Sequence, residues 1–160
     1  MESAVKKFFS SPVFAVAGAS QDTRKYGYKV LEWYHERSLP VTPVNPRTPH
    51  ITVGTHTYKS VPLASALSSP ATTSLSIITP PPVTLQVLRE AKEAGVAAVW
   101  MQPGSFDAEG LAFAKKNFEG AAVGGKGGRG GEGWCVLVDG DRGLKQANRE
   151  TGKEVRGFPL

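Results

Sequence analysis

A short apolar strand that ends in a turn of small residues constrains this chain more than any other segment. Residues 13–17 (VFAVA) are typical of a buried parallel strand, and residues 18–20 (GAS) follow directly. An amphipathic segment over residues 26–37 then predicts a helix. This order lets backbone approach a phosphorylated ligand, because glycine tolerates positive φ and a helix N-terminus presents free N–H groups. A valine at Gly18 is therefore expected to occupy the space of the phosphates.

The end of the second predicted strand indicates which kind of nucleotide would fit. That strand covers residues 41–44, and Asn45, Pro46 and Arg47 follow it. In NAD-binding Rossmann units, an acidic residue about 20 residues after the Gly-rich turn holds the ribose 2′-hydroxyl. This chain has no acidic residue there, and the guanidinium of Arg47 suits a phosphate on the ribose. The sequence therefore favours coenzyme A or NADP over NAD.

The remaining pattern alternates short apolar runs with amphipathic segments. The further predicted strands are residues 75–78, 97–101 and 136–138, and the further predicted helices are residues 83–94 and 107–118. We expect Thr84 and Asp107 to cap these two helices, and Gly95 to end the first. The polar segment 48–58 predicts a loop, with at most a small edge strand at 55–58. The order predicts an α/β, Rossmann-like fold, a doubly wound and mainly parallel sheet of about five strands with helices on both faces.

Length and composition predict one soluble domain over residues 1–160. A Gly-rich loop at 124–133 and a charged tail at about 145–160 complete it. The net charge of +5 favours anionic ligands but is too small to indicate nucleic acid by itself. The single cysteine, Cys135, excludes a disulfide framework and fits a reducing, cytoplasmic location. No apolar stretch is long enough to span a bilayer, so a membrane partner is not expected.

The binding residues are predicted at the ends of four strands, because the carboxyl ends of parallel strands meet at one edge of the sheet. The predicted binding residues are Gly18, Ala19, Ser20, Thr23, Arg24, Lys25, Tyr26, Asn45, Pro46, Arg47, Thr79, Pro80, Pro81, Gln102, Pro103 and Gly104. These ends carry no cluster of acids, bases and nucleophiles, so the sequence predicts binding and no catalytic residue. We also expect no metal site, because His35, His50 and His56 are not spaced as ligands.

The ordered set of strand-end motifs resembles a known family. The motifs are Gly18-Ala19-Ser20, Arg24-Lys25-Tyr26-Gly27, Val44-Asn45-Pro46-Arg47, Thr79-Pro80-Pro81 and Trp100-Met101-Gln102-Pro103-Gly104. Together they are similar to the stand-alone CoA-binding domains of bacteria and fungi, which share the fold of the N-terminal domain of the succinyl-CoA ligase α subunit. The resemblance covers roughly residues 8–145. It implies a Rossmann-like domain that binds coenzyme A or an acyl-CoA, often with no established reaction.

Two other functions stay open on the residues alone. An NADP-dependent oxidoreductase or redox sensor would use the same turn, with Tyr26 or Tyr28 as proton donor. An RNA-interacting module would use the basic Gly-rich segment 124–133, although a flexible loop is the favoured interpretation of that segment. The favoured function is a carrier, sensor or regulatory protein that binds a small-molecule nucleotide and is not an enzyme alone. Cys135 is expected to be a buried small hydrophobic side chain at the start of a strand, and the alternative is a reactive thiol that pairs with the sulfhydryl of CoA.

Overall fold

A computed structural model describes residues 1–125 and 134–149 as an α/β domain. The strands are β1 (Val13–Ala17), β2 (Val41–Val44), β3 (His50–Val53), β4 (His56–Lys59), β5 (Thr73–Ile77), β6 (Ala98–Met101) and β7 (Ala122–Val123). The α-helices are α1 (Glu2–Phe9), α2 (Tyr26–Glu36), α3 (Pro81–Ala94), α4 (Ala108–Asn117) and α5 (Val136–Gln146). Short 3-10 turns cover Ala64–Ala66 and Pro70–Thr72. In the part of the chain that the structure describes, no helix is long and apolar enough to cross a membrane.

Five parallel strands form the main sheet in the order β2-β1-β5-β6-β7. After β1 the chain moves to β2 on one side, and it later returns to β5 on the other side of β1. The strand order therefore reverses between β1 and β5. In a doubly wound sheet, a crevice opens at this reversal, outside the carboxyl ends of the two strands. The predicted Rossmann-like fold is confirmed, and the reversal places the crevice at Gly18 and Ile78.

Helices cover both faces of this sheet. Because parallel crossovers are right-handed, α2 on the way to β2 and α3 on the way to β6 lie on opposite faces. The helices α1 and α5 pack against each other, α2 packs on α5, and α3 packs on α4. The buried aromatic cluster between α1, α2 and the sheet comprises Phe8, Phe9, Phe14, Trp33, Tyr34 and Trp100. One hydroxyl in it is satisfied internally, since Tyr34 and Ser76 hydrogen-bond at 2.7 Å.

The prediction of a last strand at 136–138 is wrong, because these residues open helix α5. The β-branched valines suggested a strand, but the buried residues of α5 follow a helical spacing, and its two buried glycines allow close packing. A Cβ at Gly140 would lie 2.3 Å from the Trp33 ring, and one at Gly143 would lie 2.6 Å from Val5. Tertiary packing therefore overrides local propensity here. The last strand of the main sheet is the two-residue β7, which the sequence analysis did not predict.

The prediction of a loop at 48–58 is also wrong. This segment folds as the antiparallel hairpin β3–β4, of which only the second strand was anticipated. Gln21 fastens the hairpin to the turn after β1. Its side-chain amide donates to the Thr52 carbonyl at 3.0 Å and accepts from the Thr52 N–H at 2.7 Å. Farther along, Val61 pairs with Val44 and adds a short bridge beside β2.

The two predicted N-caps have different outcomes. Asp107 caps α4 as predicted, since its side chain accepts from the N–H of Gly110 at 2.9 Å. Thr84 does not cap α3, because the helix begins three residues earlier, at Pro81. Thr84 is instead buried, and its hydroxyl lies 2.7 Å from that of Thr79. Gly95 ends α3 in the left-handed conformation, as predicted.

Part of the predicted domain layout lies outside the described residues. Of the Gly-rich segment 124–133, the structure describes residues 124 and 125, and of the charged tail it describes residues 145–149. Residues 145 and 146 end α5. The single domain over residues 1–160 therefore stays a prediction. The N-terminal helix α1, whose side chains Phe8 and Phe9 enter the core, was not predicted.

Candidate functional site

A cleft of about 950 Å³ opens at the carboxyl ends of β1 and β5, where the strand order reverses. It is the place where ligands bind in sheets of this kind. Of the sixteen predicted binding residues, thirteen line the cleft: Gly18, Ala19, Ser20, Arg24, Lys25, Tyr26, Asn45, Pro46, Arg47, Thr79, Pro80, Pro103 and Gly104. The structure thus brings together residues from four loops that are far apart in sequence.

Three predicted residues do not line the cleft. Thr23 is exposed in the loop before α2, and Pro81 is the first residue of α3. Gln102 is only 2% exposed. Its side-chain oxygen accepts from the N–H of Val136 at 2.8 Å, and its nitrogen lies 3.2 Å from the sulfur of Cys135. The amide of Gln102 therefore holds the start of α5, a role that the predicted strand at 136–138 does not indicate.

Two glycines set the backbone of the turn after β1. Gly18 has φ of +91°, and a Cβ there would lie 2.8 Å from the carbonyl oxygen of Ile78. A Cβ at Gly27 would lie 2.0 Å from the carbonyl oxygen of Gly18. The strand, the turn and α2 are therefore packed backbone to backbone. A side chain at Gly18 would first meet Ile78, so the expectation that it would occupy the space of the phosphates is replaced by a clash with the neighbouring loop.

Asn45 connects the loops that follow β1 and β2. Its side-chain nitrogen donates to the carbonyl of Ala19 at 2.7 Å. Its side-chain oxygen accepts from the backbone N–H groups of Arg47 and Thr48, at 2.8 and 3.1 Å. The amide thus positions the segment that carries Arg47, whose side chain stays exposed at the cleft. Asparagine suits this position, because one side chain must both donate and accept.

The two helices that begin at the cleft differ in the hydrogen-bond donors that they offer. No side chain caps the N-terminus of α2, and its first turn contains no acidic residue. Its first N–H groups are therefore suited to an anion. By contrast, α3 begins with Pro81 and Pro82 after Pro80. Proline has no N–H, so this helix start presents few donors and an apolar surface instead.

Three cations lie at the α2 side of the cleft, namely Arg24, Lys25 and Arg47. Arg24 has a partner already, because its guanidinium makes two hydrogen bonds of 3.1 Å with the carboxylate of Asp22. These bonds lower the pKa of Asp22 to about 2. The pair therefore forms fully above the ordinary pKa of 3.8 and is lost as the pH falls towards 2. Arg24 is 89% exposed, so a stronger anion could compete for it.

The opposite wall of the cleft is apolar, and the sequence analysis missed most of it. Three of the five large hydrophobic side chains that are exposed among the described residues line this cleft: Tyr26 at 59%, Leu63 at 42% and Val83 at 47%. Of these three, Leu63 and Val83 were not predicted. The other unpredicted lining residues are Ala17, Gly27, Val44, Pro62, Ala64, Ile78, Gln86, Val87, Glu90 and Ser105. A signal was present in α3, where Val83 and Val87 lie outside the core face formed by Leu88 and Ala91. Clustered exposed apolar side chains indicate a binding surface.

Except for Tyr26, the residues considered for catalysis or metal binding lie away from this cleft. His35 hydrogen-bonds to the Tyr58 hydroxyl at 2.8 Å, and both border a second cavity of about 530 Å³ near the amino ends of β1 and β2. Within residues 1–125 and 134–149, no three histidine, cysteine or acidic side chains group as metal ligands. Cys135 is half-buried at the N-cap of α5, so its predicted place on a strand is wrong. Tyr28 is buried and does not line the cleft, which leaves Tyr26 there.

Several solved structures are similar to this chain over most of its length. A conserved hypothetical protein from Pyrococcus furiosus is 29% identical, with a TM-score of 0.65 over 79% of this chain and 97% of that chain. A hypothetical protein from Pyrococcus horikoshii OT3 is 18% identical, with a TM-score of 0.72 over 90% and 92%. The protein cell-free ID.343 from Thermus thermophilus is 23% identical, with a TM-score of 0.69 over 89% and 98%. The last two likenesses show the fold alone.

The sequence itself carries the family assignment. No match is found among curated protein sequences. The family model described as a CoA binding domain matches residues 13–130, which is well over half of the chain. The matched stretch contains β1, the turn at Gly18, the loop at Arg47 and the start of α3, so it includes the strand-end loops that form the cleft. The chain therefore belongs to the CoA binding domain family.

Proposed function

We propose that this protein binds coenzyme A or an acyl-CoA in the cleft between β1 and β5, as a carrier, sensor or regulator that is not an enzyme alone. One observation carries the proposal: the cleft joins a cationic side with free helix N–H groups to an exposed apolar wall. Coenzyme A has the same division, because its phosphates lie at the nucleotide end and its pantetheine arm is uncharged. The family assignment supports this ligand class.

The phosphates fit the side of the cleft formed by the turn after β1. The N-terminus of α2 would receive the diphosphate, with Lys25 beside it. Arg47 would bind the 3′-phosphate of the ribose, because a guanidinium binds phosphate through two parallel hydrogen bonds. The pantetheine arm would then run along Leu63 and Val83, where α3 offers apolar surface and few N–H groups.

A binding role without catalysis is supported by the chemistry of the lining. Among the described residues of the cleft wall there is no histidine and no cysteine, and Glu90 is its one carboxylate. The hydroxyl of Ser20 accepts a hydrogen bond from the N–H of Asp22 at 3.0 Å, which fits a role in shaping the turn. No general base stands beside it within this wall.

Isothermal titration calorimetry with CoA, NADP and NAD tests the proposed ligand. We expect CoA to bind most tightly and NAD most weakly, because the end of β2 has an arginine and no acid. A parallel thermal-shift series should rank the ligands in the same order, since a ligand that binds only the folded state raises Tm. Binding of NAD as tight as that of CoA would overturn the proposal. Tighter binding of NADP would instead favour the oxidoreductase hypothesis.

The ion pair between Asp22 and Arg24 leads to a prediction about affinity. We expect Asp22→Asn to strengthen CoA binding about two- to fivefold, because an exposed ion pair is weak and Arg24 would become free for phosphate. The asparagine keeps an acceptor for the Arg24 N–H, so the loop should hold its shape. Calorimetry at low and high salt measures the gain, which should shrink with added salt. An Asp22→Asn protein with unchanged or weaker CoA binding at low salt would show that Arg24 does not contact the ligand.

A further inference from the structure

The charged side chains of the cleft are divided by sign. The cations Arg24, Lys25 and Arg47 follow β1 and β2, whereas the carboxylate Glu90 lies on α3. Within residues 1–125 and 134–149, Glu90 makes no ion pair. In this part of the molecule, no basic side chain therefore lies within ion-pair distance of the Glu90 carboxylate. A ligand in the cleft would meet positive charge at one side and this single negative charge at the other.

Glu90 stands at the far end of a stripe along α3. The lining residues of this helix are Val83, Gln86, Val87 and Glu90, spaced by three, one and three positions, so they share one face. Glu90 lies seven positions after Val83, which places it about 10 Å farther along the helix axis. The stripe therefore leads from the apolar start of α3 to a negatively charged end.

The distribution of charge along CoA then determines which part of the ligand would lie near Glu90. All the phosphates of CoA lie at its nucleotide end, and they belong with the cations and with the N-terminus of α2. The uncharged pantetheine arm is left for the α3 stripe, and its sulfur end points towards Glu90. This orientation rests on the proposed function above. It also matches the apolar exposure of Leu63 and Val83 along the way.

We propose that Glu90 makes this cleft selective for acyl-CoA thioesters with an uncharged acyl end and disfavours those that end in a carboxylate. A dicarboxylic acyl group would bring a second negative charge close to Glu90. Two like charges near a protein surface repel each other appreciably, whereas a methyl terminus meets no such penalty. The class of ligand is thus an acyl-CoA with an uncharged acyl group, and succinyl- or malonyl-type thioesters are disfavoured by charge repulsion.

Butyryl-CoA and succinyl-CoA form a matched pair of probes, because both acyl groups contain four carbons and differ in a terminal methyl or carboxylate. By calorimetry at low salt we expect the wild-type protein to bind butyryl-CoA about three- to tenfold more tightly than succinyl-CoA. Glu90→Gln should bring the ratio of the two dissociation constants close to one. This convergence should come from tighter binding of succinyl-CoA, and the affinity of the variant for butyryl-CoA should change less than its affinity for succinyl-CoA.

Glu93→Gln is the control, since Glu93 is exposed on the same helix and does not line the cleft. This variant should keep the wild-type preference, and circular dichroism should show both variants to be folded. Equal wild-type affinities for the two thioesters would overturn the inference, as would a preference that Glu90→Gln leaves unchanged or that Glu93→Gln also removes. A wild-type protein that binds no CoA would refute the proposed function itself, and the inference with it.

Discussion

Gly27→Ala is expected to destabilise the folded protein by about 3 kcal/mol, the upper part of the range for overpacked sites. The added Cβ would lie 2.0 Å from the carbonyl oxygen of Gly18 and 3.1 Å from its carbonyl carbon. This backbone is fixed, because the N–H of Gly18 donates to the carbonyl of Val44 at 3.2 Å and thereby joins β1 to the end of β2. Urea unfolding followed by circular dichroism measures the loss.

Gly110→Ala is the matched control for this experiment. Gly110 also lies in the first turn of a helix, but a Cβ there would be 3.5 Å from the side chain of Asp107, an ordinary contact. This change should leave stability unchanged or raise it by about 0.5–1 kcal/mol, because glycine is a poor helix former. If Gly27→Ala is as stable as Gly110→Ala, the close approach of α2 to β1 is not a feature of the protein.

Arg47→Ala is expected to weaken CoA binding roughly tenfold to a hundredfold, the equivalent of about 1.5–3 kcal/mol for a hydrogen bond to a charged group. The affinity for dephospho-CoA, which lacks the 3′-phosphate, should hardly change. Folding should be unaffected, because the Arg47 side chain is exposed and its backbone N–H keeps its bond to Asn45. Calorimetry with both ligands gives the two ratios of dissociation constants.

Arg89→Ala serves as the charge-matched control, since Arg89 is exposed on α3 and does not line the cleft. It should weaken the binding of neither ligand beyond a small, salt-dependent change. Equal losses for CoA and dephospho-CoA in Arg47→Ala would show that Arg47 acts on the diphosphate or on the loop. Equal losses in Arg47→Ala and Arg89→Ala would show that Arg47 acts only through the overall electrostatic field of the protein and not through a direct contact with the ligand.

The parts of the fold that the sequence predicted are those where local pattern and tertiary packing agree. β1 and β2 lie where predicted, because short apolar runs bounded by glycine or proline have few alternatives. The prediction of a strand at 136–138 is wrong for the opposite reason. The valines of this segment favour a strand, whereas the close approach of Gly140 to Trp33 favours a helix, and that contact spans over 100 residues of sequence.

The candidate site shows a similar division. The cationic and small residues of the loops after β1 and β2 could be predicted, because their positions follow from the strand ends. The apolar wall could not, since Leu63 comes from the connection after the unpredicted hairpin. Gln102 was predicted to line the cleft but does not. Its side chain instead contacts Cys135 and Val136 at the start of α5, where the sequence predicted a strand.

The hydrogen bonds of Asn45, Gln21 and Thr84 have a consequence for the thermodynamics of binding. The bonds of Asn45 and Thr84 tie down the Arg47 segment and the start of α3 at the cleft before any ligand arrives, and those of Gln21 tie the hairpin to the turn after β1. The entropy of ordering these backbones is thus lost during folding and not during association. Binding would still have to order exposed side chains such as Arg47 and Lys25, and the free-energy cost is about 0.5–1.5 kcal/mol for each side chain. The cleft is preorganised, so more of its contact energy can appear as affinity.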